Sequence, residues 1–224
     1  MSVELQRKLA VEFIGMFIFM FTVGMVTDRA GAGPLAPLAI GSILMVMVFA
    51  GGYVSGGHFN PAVSLGVFLR QRMAANECGF YILTQLVAAV IAGLLVRYVG
   101  GRETHAVVLS SPKMLIAEFI FTFALVWVVL HVATSRGTEG NSFYGLAIGF
   151  TVVAGALAVG GISGGAFNPA IALGAMVTGL LQWSNIWVYL IAEFLGAAAA
   201  AYAFFFVLPG EKDAGDVVEP ASTT

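Results

Sequence analysis

Cysteine and charge are the two things this chain has least of. Cys78 is the single cysteine, so no disulfide can close within the chain and no thiolate cluster can hold a metal. It reads as a small apolar residue on a helix. Charged residues make up 10% of the 224 residues, with a formal net charge of -2. No basic excess remains to attract a phosphate backbone, so nucleic acid is not an expected partner. The three histidines form no cluster with carboxylates at metal-ligand spacing, and no nucleophile stands beside a base. An enzyme is therefore not expected, and neither a metal nor a cofactor is implied.

What fills the chain instead is apolar: 59% of residues are hydrophobic and the mean hydropathy is +0.95, far above that of a domain with a solvated surface. Such a chain belongs in a lipid bilayer. A span needs about 20 apolar residues, and six runs approach that length, at about 9–27, 36–54, 79–99, 113–134, 143–161 and 185–208. The first, from Leu9, is too long for a secretory leader and has no small-residue cleavage site. The tail from Pro209 to Thr224 is charged and free of aromatics, and is expected to be disordered.

Two apolar stretches are left over, 60–69 and 168–180, each too short to cross. Both begin with the same words. Val54-Ser55-Gly56-Gly57-His58-Phe59-Asn60-Pro61-Ala62 answers Ile162-Ser163-Gly164-Gly165-Ala166-Phe167-Asn168-Pro169-Ala170 at an offset of 108 residues. The same offset relates Gly41 to Gly149, Tyr81 to Tyr189 and Gln85 to Glu193, and it slips to 106 where Glu12 answers Glu118. The chain is thus an internal duplication, residues 1–107 and 108–208. Three spans per half is an odd number, so the second half enters the membrane upside down relative to the first. The expected fold is all-α: six transmembrane helices and two re-entrant half-helices in an inverted repeat.

A helix of about ten residues reaches roughly 15 Å, half of the roughly 30 Å hydrocarbon core. Two of them entering from opposite faces meet in the middle. Asn is a strong N-cap and Pro suits the first helical position, so Asn60-Pro61 and Asn168-Pro169 each read as a helix start. Each amino end carries about half a positive charge. A shared conduit between them opposes cations and hydronium, while the Asn amides donate to a solute oxygen. The Ser-Gly-Gly segments descend as irregular backbone, which a membrane tolerates where it lines water or is buried in protein. That leaves the carbonyls of Gly56, Gly57 and His58, and of Gly164, Gly165 and Ala166, as an acceptor ladder. Glu12 and Glu118 read as acceptors for the buried N–H groups of the two loops. Glu193, whose repeat partner is Gln85, reads as a hydrogen-bonding group toward a neighbouring helix.

The doubled Asn-Pro-Ala, the preceding Ser-Gly-Gly, the paired Glu and the repeated spans resemble the aquaporin (major intrinsic protein) family over about residues 5–208. The resemblance is to a short, prokaryote-like member that lacks the filter arginine. It implies a passive channel for water and small neutral solutes, a homotetramer with one pore per subunit, and no cofactor. Family members usually place Arg directly after the second Asn-Pro-Ala; here that position is Ile171. The other outer-filter positions fall on Ile40, Ala156 and Gly165, so the resemblance implies a wide apolar constriction that admits solutes such as glycerol, hydrogen peroxide, urea, ammonia or metalloid hydroxides. Arg102 or His105 of the long third loop are the candidates to restore a positive charge there. The competing reading is a secondary transporter, built on inverted repeats and coupled through an intramembrane Glu. Six Lys and Arg on the side of the termini against four on the other favour cytoplasmic termini in a plasma (inner) membrane.

Overall fold

The structure is a computed structural model that describes residues 1–27, 31–100 and 111–212. Within those residues it is all-helical. The spans are α1 (Val3–Val26), α2 (Ala36–Ser55), α4 (Ala75–Gly100), α5 (Ser111–Thr134), α6 (Tyr144–Ser163) and α8 (Ile186–Val207), and the half-helices are α3 (Pro61–Leu69) and α7 (Pro169–Thr178). All six long helices are apolar enough to cross a membrane. Their outward faces carry large apolar side chains such as Tyr53, Tyr98 and Phe206, the arrangement that a lipid solvent permits. The boundary between the halves, 107/108, and the loop residues Arg102 and His105 lie outside the described residues.

Within each half the first span packs on its second and third, α1 on α2 and α4, and α5 on α6 and α8. The halves join through α2 and α6, and each half-helix leans on the last span of the other half, α3 on α8 and α7 on α4. Small residues set the closeness of the α2–α6 crossing. A Cβ added to Gly41 would lie 2.5 Å from the Gly149 carbonyl oxygen, and one added to Gly149 would lie 2.5 Å from that of Gly41. Residues equivalent in the repeat therefore touch, which places the pseudo-two-fold axis at this crossing and lets the backbones approach without lipid between them.

Three of the ends that differ from the hydropathy reading have a visible cause. Helix α1 begins at Val3, not Leu9, because the Ser2 side chain caps it by accepting from the Leu5 N–H. Its polar first turns are anchored by Lys8, whose Nζ lies 3.1 Å from Glu77 and 3.4 Å from Glu4. The apolar run marks the bilayer and not the helix. Helix α7 stops at Thr178, where Gly179 takes a left-handed φ of 84° as its C-cap.

The third difference concerns the tail, whose first residues are ordered. Pro209–Glu211 forms one 3-10 turn, and Glu211 is clamped by the end of α3 and the α5–α6 connection. Its carboxylate accepts from Arg70 Nη2 at 2.6 Å, from the Arg136 N–H at 2.8 Å and from Ser135 Oγ at 3.0 Å. The Arg70 guanidinium, 2% exposed, also lies 4.6 Å over the Phe204 ring. Composition marks the segment as solvated, but a carboxylate that meets a buried guanidinium is held in place. Residues 213–224 lie outside the described residues.

Burial raises the pKa of Glu211, but the Arg136 N–H, the Ser135 hydroxyl and the charges of Arg70 and Arg136 outweigh it and hold the carboxyl below its ordinary value. A group whose folded pKa is depressed contributes stability above its unfolded pKa and loses it as pH falls through the folded value. The clamp should therefore be intact above the ordinary carboxylate range and open only below it. Limited proteolysis against pH is expected to release the C-terminal segment in acid. Glu211→Ala should release it at neutral pH and cost about 3 kcal/mol, because it strands a buried guanidinium.

Candidate functional site

The two re-entrant loops are built alike. Each span before them ends in a left-handed glycine, Gly56 at φ 88° after α2 and Gly164 at φ 90° after α6. Gly57 and Gly165 follow at φ 62° and 64°, a conformation that costs glycine little. Then comes a residue that pays for it: Phe59 and Phe167 sit at φ 45° and 49°, rare for a side chain of this size. The carboxylates secure both. Glu12 Oε2 accepts from the Phe59 N–H at 2.7 Å and Oε1 from the His58 N–H at 2.9 Å. Glu118 Oε2 accepts from the Phe167 N–H at 2.7 Å and Oε1 from the Ala166 N–H at 3.1 Å. Both acids are fully buried. Their role is to satisfy donors that no water or lipid could satisfy.

Further side chains complete the braces. Ser55 Oγ donates to Glu12 at 2.8 Å and accepts from the Gly57 N–H, and Gln85 Nε2 donates to Glu12 at 2.8 Å. Tyr81 donates to the Ser55 carbonyl at 2.8 Å, and Tyr189 donates to that of Ser163. His58 is buried, with Nδ1 3.1 Å from Ser64 Oγ and its ring against Tyr81. Sequence reasoning missed Ser55, Ser64, Tyr81 and Tyr189 as bracing groups. The usable signal was there, since Ser55/Ser163 and Tyr81/Tyr189 are polar pairs repeated at the same offset inside apolar spans.

After the loops the chain turns into α3 and α7. Asn60 Oδ1 accepts from the Ala62 N–H at 2.8 Å, and Asn168 Oδ1 from the Ala170 N–H at 2.9 Å. Pro61 and Pro169 occupy the first helical positions. The amides then cross between the halves: Asn60 Nδ2 donates to the Phe167 carbonyl at 2.9 Å, and Asn168 Nδ2 to the Phe59 carbonyl at 2.8 Å. One hydrogen of each amide is thus taken, and one is left for a third party. Both asparagines are nearly buried, and the two helix amino ends face each other across this crossing. Positive ends at close quarters in a low dielectric repel a cation and attract an acceptor oxygen. No hydrogen bond among the described residues ends on the carbonyls of Gly56, Gly57, His58, Gly164, Gly165 or Ala166.

Ile40, Ala156, Gly165 and Ile171 line one cavity of about 240 Å³ on the far side from the termini. Phe19 and Val23 of α1, its C-cap Thr27, and Ala166 and Ala175 line it as well. None of the described residues that line it is charged. The α1 residues could not be singled out beforehand, because a helix that is apolar all round gives no periodicity from which to read its inward face.

A family model described as Major intrinsic protein matches residues 1–204. Among curated proteins, Aquaporin NIP1-4 of Oryza sativa subsp. japonica is 34% identical, covering 95% of this chain and 81% of its own. Probable aquaporin TIP1-2 of the same organism is 37% identical over 92% of this chain and 88% of its own, and Nodulin-26 of Glycine max is 31% identical over 99% and 85%. In fold, the chain is similar to the X-ray structure of the aquaglyceroporin from Plasmodium falciparum, with a TM-score of 0.77, 21% identity, and coverage of 93% of this chain and 99% of that one.

The bracing geometry makes one demand on stability. Glu12→Leu would leave the donors of Ser55, His58, Phe59 and Gln85 without their acceptor. At about 1–3 kcal/mol for each stranded buried donor, the loss should be at least about 4 kcal/mol. Unfolding of the purified protein in detergent is the measurement, and a melting temperature equal to wild type would contradict the assignment.

Proposed function

The chain belongs to the major intrinsic protein family of membrane channels, and from that premise we propose that it conducts water and small neutral solutes passively, through a path running between the two asparagine caps. The observation that carries the solute reading is the cavity whose described lining is uncharged, where Ile171 follows the second Asn-Pro-Ala and Ala156 and Gly165 add only small side chains. Pore width, lining donors and electrostatic barriers decide what such a channel passes. A wall without a guanidinium adds no donor fork. Molecules larger than water, with an apolar face toward Ile40 and Ile171 and hydroxyl or amide groups toward the carbonyls of Gly164 and Gly165, fit this description. Glycerol, urea, hydrogen peroxide, ammonia and undissociated metalloid hydroxides are the candidates.

Cation exclusion then rests on the midplane alone: two helix amino ends and the free hydrogens of Asn60 and Asn168. The three intramembrane acids Glu12, Glu118 and Glu193 are engaged with loop backbone, which favours passive conduction over coupling through a titrating carboxylate. The assembly proposed is a homotetramer with a pore in every subunit, of halves 1–107 and 108–208. Both termini are placed in the cytoplasm of a plasma (inner) membrane, on the side where Arg70, Arg72 and Arg136 gather about Glu211.

Stopped-flow light scattering on one proteoliposome preparation tests the solute class. Water and at least one of glycerol, urea and peroxide should permeate linearly with gradient and without saturation; water alone would refute the wide-filter reading, and saturable flux would favour a transporter. Ile171→Arg should reduce the larger solute by about tenfold or more, equivalent to about 1.4 kcal/mol of barrier, while water flux persists. Asn168→Asp keeps a capping oxygen but replaces the donating amide with a negative charge. It should open a measurable leak to sodium or potassium in vesicles, and unchanged conductance would count against the midplane barrier.

A further inference from the structure

The two halves differ at one buried position in a way that their symmetry makes legible. In the first half, Glu12 is surrounded by donors only: the Ser55 hydroxyl, the His58 and Phe59 N–H groups and the Gln85 amide. At the repeat equivalent of Gln85 the second half has Glu193, on α8 and fully buried. Its Oε1 accepts from the Asn168 N–H at 2.9 Å. Its Oε2 receives nothing from any N–H or hydroxyl. Its neighbour is another carboxyl, Glu118, whose two oxygens hold the N–H groups of Ala166 and Phe167, the residues just before Asn168.

Two carboxylates have no hydrogen to share, and in the interior of a bilayer their repulsion would not be screened. The surroundings supply no compensating cation. Besides the two acids, the groups facing the pair are the Ala166 and Phe167 N–H groups on Glu118, the Asn168 N–H on Glu193, the Ser163 hydroxyl, which donates to the Val159 carbonyl at 3.5 Å, and the Tyr189 hydroxyl, which is committed to the Ser163 carbonyl. Neither carboxyl has a Lys, Arg or His partner among the described residues. Donor counting separates the roles. Glu118 has a donor on each oxygen and suits the anion, whereas Glu193 has one donor and an oxygen with none.

We propose that Glu193 is a positioning residue that carries a proton within the membrane: its carboxylic acid donates to Glu118 as the Gln85 amide donates to Glu12, and its carbonyl oxygen holds the Asn168 N–H. The proton is part of the built structure. With it, each re-entrant loop carries one negative charge; without it, the second loop carries two beside the amino end of α7, offsetting the positive end that faces the conduit. Glu193 therefore fixes the Asn168 backbone and keeps the two halves electrostatically equal. The protonation rests on the buried, unpartnered Oε2 of Glu193 and the filled oxygens of Glu118, while its effect on permeation rests on the channel reading above.

Infrared difference spectroscopy of wild type against Glu193→Gln in proteoliposomes reads the proton directly. The wild type should show the carbonyl stretch of a protonated acid, shifted by deuterium exchange and absent from the variant, and the same band should survive Glu139→Gln, a change at an exposed carboxyl on the α5–α6 connection. Gln reproduces both hydrogen bonds, so Glu193→Gln should keep solute flux within about twofold of wild type and remain tight to cations, whereas Glu193→Val should lose about tenfold or more, equivalent to about 1.4 kcal/mol. A difference spectrum containing carboxylate bands alone would overturn the proposal. So would a well-folded Glu193→Gln that has lost its flux, since a charge would then be needed. If wild type conducts nothing, the proposed function fails, and the infrared band still decides whether Glu193 holds a proton.

Discussion

A carboxylate accepting the N–H groups of irregular backbone inside the bilayer is the interaction on which the rest of this molecule depends. Hydrocarbon offers no partner to a peptide group, so a chain that stops half way across must bring its acceptor along. Glu12 and Glu118 do this for the two loops, and in the same contacts they hold Phe59 and Phe167 in a backbone region that a phenylalanine rarely enters. The strain at those residues is local and its compensation is local. From it follows everything at the midplane: the turn of the chain at each Phe, the cap at each Asn, the start of each short helix at its Pro.

The second theme is exchange between the halves. Each half-helix leans on the far half's last span, and each asparagine amide donates to the carbonyl of the far half's phenylalanine. The repeat is thus more than a record of duplication, because neither copy completes its own site. Where the copies diverge, they do so around these shared contacts. Ser64 and His58 make a polar corner in the first half, where the second has Ala172 and Ala166. The first loop's surroundings are correspondingly polar, and the cavity above the second is apolar.

How far the sequence could be read depended on whether a signal was local. Six apolar runs and two Asn-Pro starts are local, and the corresponding helices stand where bilayer length and capping put them. Paired acids in apolar spans were legible as groups in need of donors, but which donors each would meet depends on packing across helices. The phase of α1 was hidden for a different reason. A helix wetted by lipid is apolar on every side, so Phe19, Val23 and Thr27 look no different from residues facing the membrane. Glu211 was hidden by composition, which registers a charged tail and not the buried Arg70 waiting for it at the end of α3. The crosswise amide bonds were beyond reach, since they join groups more than a hundred residues apart.

That last pair of bonds bears on how the molecule is made. A nascent chain delivers its first half to the bilayer before the second exists, and at that moment the Phe59 carbonyl and the Asn60 amide have no counterpart. The descending segment is therefore premature until the ribosome has supplied the other copy, and α3 cannot settle against an α8 that has yet to be synthesised. The finished packing therefore cannot close when Phe167 and Asn168 arrive; it waits for α8, the span on which α3 leans.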